Sequence, residues 1–233
     1  MKLFLIIFIF LTSVFAKEPK TLTCFIAKGF PPFQFEDEKN VVRGIDVEIA
    51  KLFNKYNTEG IKVELRAMKW SDAIGTLLYT NRGDCIWGME ITKKRVKLFE
   101  MTMPLYERVS TLFVLKKSDY KSIDELQNKI IGDDKDSDMS NYLKSKDLRV
   151  AVVKTKEESF KSLMSGKFAA ISAPYRVGIY LSKKLKTPIR VLKKHKKGRG
   201  VSVATKSEDI RKLIESGLKE IPKHELDKAL KSY

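Results

Sequence analysis

The chain has 233 residues, enough for one large domain or two small ones. Its composition, 43% hydrophobic and 10% aromatic, fills an ordinary core and excludes a disordered chain. The formal net charge of +17 is strongly basic. Such charge can bind nucleic acid, but the export expected from the N-terminus points away from that partner.

Met1 and Lys2 begin a short positive start, Leu3 to Val14 is almost wholly apolar, and Val14-Phe15-Ala16 ends small-x-small. This is the pattern of a secretory signal peptide over residues 1–16, cleaved after Ala16. The apolar run is short for a bilayer, which needs about 20 residues; an uncleaved anchor is the competing reading. The mature chain is expected to be periplasmic or secreted. Export permits a Cys24–Cys85 disulfide, and two buried thiols in strands fit the sequence equally well.

Apolar strands then alternate with amphipathic helices. Residues 22–27 predict a strand, and Phe30-Pro31-Pro32-Phe33 a rigid turn. Ile45, Ile49, Leu52, Phe53 and Tyr56 share one helical face. Residues 61–65 predict a strand, Ser71 caps a helix that ends by Gly83, and residues 84–89 form the next strand. Ser122 with Glu125 makes a capping box before a short helix. A strand from Ile130 runs into an acidic stretch, Asp133, Asp134, Asp136 and Asp138, and residues 149–153 form another. Thr155 with Glu158 is a second capping box, and its helix stops at Gly166. Strands follow at 169–172, 189–192 and 200–205. Ser207 caps a helix, and residues 222–233 form a last one.

Strands separated by helices imply α/β architecture with doubly wound parallel sheets. Ligands of such sheets bind beyond the carboxyl ends of the strands. That singles out loops 28–33, 88–95 and 133–138. The basic run from Lys183 to Arg199 is either a solvated face or a contact for an anionic membrane surface. His195 and His224, far apart, make no metal-ligand spacing with the two cysteines, and no nucleotide or nucleophile-elbow motif is present. No metal or cofactor is expected.

One ordered set of motifs is more specific. Gly29-Phe30-Pro31-Pro32-Phe33 is followed by Gly44-Ile45-Asp46-Val47, Trp70 ahead of a helix, and Gly83-Asp84 opening a strand. That strand runs into Gly88-Met89-Glu90-Ile91-Thr92-Lys93-Lys94-Arg95, and Met101 to Tyr106 closes the set. The set resembles the periplasmic solute-binding proteins of family 3, which serve amino-acid ABC transporters. The resemblance is good over about residues 22–116, recognisable at 198–233 and weak between. It implies two lobes, 17–114 plus 198–233 and 115–197, joined by a two-strand hinge and closing over a ligand.

Carried over position by position, the resemblance gives Arg95 the ligand's α-carboxylate. A guanidinium fork suits that group, and Thr92 caps the turn that presents it. It makes Phe30 and Trp70 the aromatic walls of the ligand's side chain, with Trp87 and Gly88 on the pocket floor. From the second lobe, Ser137 and Asp138 match the loop that closes over the carboxylate. The plain alternatives are surface charge for Arg95, ordinary core for the aromatics and a solvated loop for the acids.

Departures set the ligand class in doubt. Glu90 stands where the family has Ser or Thr, and Pro174 where it often has an ammonium-binding Asp. Glu90 either pairs with Arg95 or receives the ligand's ammonium. The nearby carboxylates favour a cationic group. The expected function is therefore binding of an amino acid or related amine by a monomer, for an ABC transporter permease or a membrane receptor. The alternatives are a cyclohexadienyl-dehydratase-like enzyme with Glu90 as general acid, and a degenerate module acting through its basic surface.

Overall fold

The computed structural model describes residues 19–134, 137–194 and 200–233. The signal peptide expected over residues 1–16, Asp136 of the acidic stretch and positions 195–199 of the basic run lie outside the described residues.

In chain order the elements begin with β1 (Lys20–Ala27), β2 (Gly29–Phe30), β3 (Gln34–Glu36), β4 (Val42–Arg43), α1 (Ile45–Tyr56), β5 (Ile61–Met68) and α2 (Trp70–Tyr79). There follow β6 (Cys85–Glu90), a 3-10 turn (Arg95–Lys97), β7 (Glu100–Met101), β8 (Tyr106–Glu107), β9 (Ser110–Leu115) and a second 3-10 turn (Asp124–Leu126). The remainder is β10 (Ile130–Asp133), α3 (Asp138–Lys144), β11 (Arg149–Val152), α4 (Lys156–Met164), β12 (Ala170–Pro174), α5 (Tyr175–Lys184), β13 (Ile189–Lys194), β14 (Gly200–Thr205), α6 (Glu208–Lys219) and α7 (Lys223–Lys231).

The first sheet runs β5-β1-β6-β14, with the short β7 and β8 also on β14; β1 is parallel to β5 and β6, and β14 is antiparallel. In β1, Leu22, Cys24 and Ile26 pack toward Phe53 of α1, while Phe25 packs with Ala73 and Leu77 of α2. A strand covered on both faces is apolar throughout, which is why this one reads as a run rather than an alternation. Cys24 lies beside Cys85 in the register, and the two are joined as a disulfide.

The second sheet runs β11-β10-β12-β9-β13, with β10 parallel to β11 and β12 and β9 antiparallel to both its neighbours. Phe113 of β9 faces Phe160 and Val177 of α4 and α5, while Leu112 and Val114 face Met139 and Leu143 of α3. The chain thus forms two α/β lobes. It passes from the first sheet to the second at Arg108 and Val109, between β8 and β9, and returns between β13 and β14.

Two caps form as expected: Thr155 accepts from the Glu158 amide at 3.1 Å, and Ser207 from Ile210 at 3.3 Å. Ser71 does not cap α2. The helix starts a residue earlier at Trp70, and the Ser71 hydroxyl turns to Asp72. The Ser122–Glu125 box yields only the 3-10 turn. No helix among the described residues is long and apolar enough to cross a membrane.

Candidate ligand-binding site

β6 delivers its last residues to the carboxyl end of the first sheet. Opposite β14 its register shifts between Ser202 and Ala204, so Trp87 and Gly88 together face the single residue Val203. Gly88 takes φ +76, and a Cβ there would lie 1.9 Å from Gln34 Nε2 and 2.3 Å from Asp46 Oδ2. Beyond the bulge Glu90 still pairs with Val201, the Ile91 amide donates to the Gly200 carbonyl at 2.9 Å, and the loop that follows leaves the sheet. Thr92 Oγ1 then accepts from the Arg95 amide at 3.3 Å, fixing the 3-10 turn, and Arg95 Nη1 donates to the Glu90 carbonyl at 2.9 Å. Its guanidinium lies 5.6 Å from the centroid of the Trp70 ring, at the first turn of α2. Glu90, Thr92, Arg95 and Trp70 therefore come together.

The Glu90 carboxylate makes no hydrogen bond or ion pair among the described residues, although Arg95 and Arg108 are both near enough to pull its pKa down. Burial outweighs them and raises it above the ordinary glutamate value, helped by the negative charge of Asp138 and Asp133. Those two acids belong to the second lobe, so the α3 end of that lobe faces Glu90 across the cleft. An Arg95–Glu90 ion pair sealing the site is not formed. What is present is a partly buried carboxylate that no described side chain pairs with.

The acidic stretch is not the open cluster that its sequence suggests. Asp133 is buried, and its carboxylate accepts from Ser137 Oγ at 2.7 Å. Lys156, also buried, places its ammonium 3.2 Å from Asp133 and 2.9 Å from Asp134 and donates to the Ser172 carbonyl at 2.7 Å. Ser137 in turn caps α3 by accepting from the Ser140 amide at 2.9 Å. Lys156 thus offsets charge that would otherwise draw a cation.

The structure places Trp87 elsewhere than expected. Its ring is fully buried and packs edge-on to Phe53 of α1 at 5.7 Å, in the core of the first lobe rather than on a pocket floor. Trp87 shares the α1 face of the sheet with Cys85, while Ile86 and Met89 face α2. Gly88 contributes its carbonyl, which takes Gln34 Nε2 at 3.3 Å and Arg108 Nη2 at 3.4 Å.

Phe30 is engaged by a residue that sequence reasoning missed. Arg108, at the crossing between the sheets, sets its guanidinium 5.0 Å from the Phe30 centroid and 4.3 Å from Phe33. Its Nη2 donates to Tyr106 Oη at 2.8 Å and to Asp46 Oδ2 at 3.3 Å. Asp46, wholly buried in the first turn of α1, also accepts from Gln34 Nε2 at 2.6 Å and from Tyr106 Oη at 2.5 Å. Burial pushes the Asp46 pKa up, and Arg108 opposes that shift. The available signal was Arg108, beside Glu107 in the mostly apolar stretch 105–114, with Gln34 and Asp46 at strand and helix starts. No group of His, Cys, Asp and Glu among the described residues could hold a metal ion.

Residues 22–233 match the family model described as bacterial extracellular solute-binding proteins, family 3. The ABC transporter arginine-binding protein 1 of Escherichia coli (strain K12) is 26% identical over 148 residues, covering 63% of this chain and 60% of that protein. The match therefore spans less than two thirds of that relative. The L-cystine-binding protein TcyJ of the same strain is 23% identical over 215 residues, 89% of this chain and 79% of its own length. An ancestral arginine-binding protein bound to arginine has a similar structure, with a TM-score of 0.82 at 26% identity over 93% of this chain and 99% of its own.

Proposed function

The chain belongs to the bacterial extracellular solute-binding proteins of family 3, and from that membership we propose that it binds a small amino acid or related amine in the cleft between its lobes and presents it to a membrane transporter or receptor after export. Its task is binding, not catalysis. The observation that carries this reading is Glu90: a partly buried carboxylate, unpaired among the described residues, with the Arg95 guanidinium on the same loop. An α-amino acid supplies the complementary pair, its ammonium to Glu90 and its carboxylate to Arg95. Ser137 and Asp138 close on it from the second lobe by rotation about the crossing strands.

Thermal unfolding tests this, on protein refolded from denaturant to strip bound ligand. Amino acids, amines and small carboxylates are added one at a time. A ligand at a hundred times its Kd stabilises by about 2.7 kcal/mol, a rise in Tm of roughly 5–11 °C for a chain of this size. Glu90→Gln and Arg95→Ala should each remove the rise. A panel with no active compound, or Glu90→Gln binding as well as the parent, would refute the reading.

A further inference from the structure

Both aromatic rings expected to wall the ligand's side chain are faced by a guanidinium of the chain itself: Arg95 over Trp70 at 5.6 Å and Arg108 over Phe30 at 5.0 Å. Arg108 is not a surface cation that swings aside. It is 7% exposed, lies over Phe33 as well, and is tied through Nη2 to Tyr106, Asp46 and the Gly88 carbonyl. A guanidinium over an aromatic face in a desolvated site is already the favoured occupant of that face. A second cation brought beside it meets like charge at close range, where little water screens the repulsion. On the opposite lobe Lys156 offsets part of the charge of Asp133 and Asp134, and the acid left there, Asp138, faces Glu90 on the carboxylate side of the site rather than the ring under Arg108. Arg108 Nε–H is also buried without a partner among the described residues, a donor that an acceptor on a short ligand side chain would satisfy.

We propose that Arg108 determines the specificity of the cleft: its guanidinium fills the aromatic subsite from within, so the site takes amino acids with short uncharged or acidic side chains and rejects those with cationic side chains, arginine included. This rests on the amino-acid-binding reading above.

The test ranks alanine, serine, glutamate, lysine and arginine by thermal shift and calorimetry on three proteins. These are the parent, Arg108→Ala, and Arg108→Ala with Asp46→Asn, which avoids leaving Asp46 as an unpaired buried charge. Methylguanidinium is added as a probe of the vacated subsite. In the parent, an uncharged or acidic amino acid raises Tm while arginine, lysine and methylguanidinium at millimolar concentration do not. In the variants arginine gains at least about tenfold over alanine, and methylguanidinium restores part of the lost stability. A parent that prefers arginine or lysine overturns the proposal while leaving amino-acid binding intact. So do folded variants that still reject both guanidinium compounds. If no amino acid binds the parent, the functional reading fails, and methylguanidinium rescue still decides whether Arg108 fills this subsite. If neither variant folds, the ranking on the parent alone decides.

Discussion

Replacing Lys156 by Met should damage the second lobe far more than a helix N-terminal lysine ordinarily does. The Lys156 side chain is 3% exposed and Asp133 1% exposed, so the pair is desolvated. Burial pulls the lysine pKa down, and Asp134 and Asp133 together more than reverse it. Methionine keeps the apolar stem and removes the ammonium. Asp133 then retains only the Ser137 hydroxyl and the Asp134 amide, each at 2.7 Å, and the Ser172 carbonyl loses its donor. Removing one partner of a buried pair costs about 3–5 kcal/mol. The Asp134 contact adds little, since that carboxylate is 44% exposed and regains water. At about 2–4 °C per kcal/mol the Tm should fall by roughly 6–20 °C. Urea titrations of Lys156→Met, Asp133→Asn and the double variant check this. The double variant should lose less than the sum of the singles by about 1–3 kcal/mol, because neither charge is then left alone. Additive losses, or a single variant within about 1 kcal/mol of the parent, would refute the account.

Gly88→Ala needs a Cβ 1.9 Å from Gln34 Nε2 and a strained φ of +76, and should lower stability by about 3 kcal/mol or more in chemical denaturation. Cys24→Ser with Cys85→Ser opens a loop of sequence separation 61, which on chain entropy lowers stability by about 4 kcal/mol; equal melting with and without reductant would show that the thiols are not joined in solution. Glu90 has its folded pKa raised by burial, so between the ordinary glutamate value of 4.5 and the folded value the folded state binds more protons, and stability falls as pH rises. Asp46 has the same sign, so the measurement is the difference from Glu90→Gln. That variant should show a shallower slope, and an unchanged slope would assign the effect elsewhere. If Glu90 receives an ammonium, ligand affinity rises with pH over the same interval.

Most of the first lobe was legible because its strands and helices repeat at the expected periods and its loops carry prolines and glycines. α5 was not read: Tyr175, Val177, Gly178 and Ile179 are poor helix formers, and only packing of Val177 and Leu181 on the second sheet decides the matter. α3 presents just Met139 and Leu143 to the core, too few for a pattern. Glu90, Thr92 and Arg95 lie together in the structure, as residues of one short loop must, and their proximity was legible for that reason. Trp87 was put on the pocket floor by the family resemblance, whereas in the sheet it shares the α1 face with Cys85 and packs on Phe53. Arg108, Asp46, Gln34 and Lys156 were missed for a common reason. Each is a polar residue far in sequence from its partners, with separations of 62 for Arg108 to Asp46 and 23 for Lys156 to Asp133. A single sequence shows the charges and not the pairing.

That pairing also joins specificity to motion. Arg108 is the first residue beyond β8, so its backbone belongs to the crossing between the lobes, the place where the proposed closure would bend the chain. Its side chain is fastened to the first lobe through Asp46, Tyr106 and Gly88. Gln34 fastens the same acid to the Trp87 carbonyl at 2.8 Å and to the Ala27 amide at 2.7 Å, so the anchor reaches two strands of the sheet and the first turn of α1. A rotation at Val109 that left the Arg108 backbone in place would keep the guanidinium over Phe30. A rotation that twisted Arg108 itself would draw the guanidinium off the ring and strip Asp46 of its cation, at the cost of an unpaired buried charge. The network therefore favours bending on the Val109 side of the crossing, and the subsite keeps its occupant whether the lobes are open or closed.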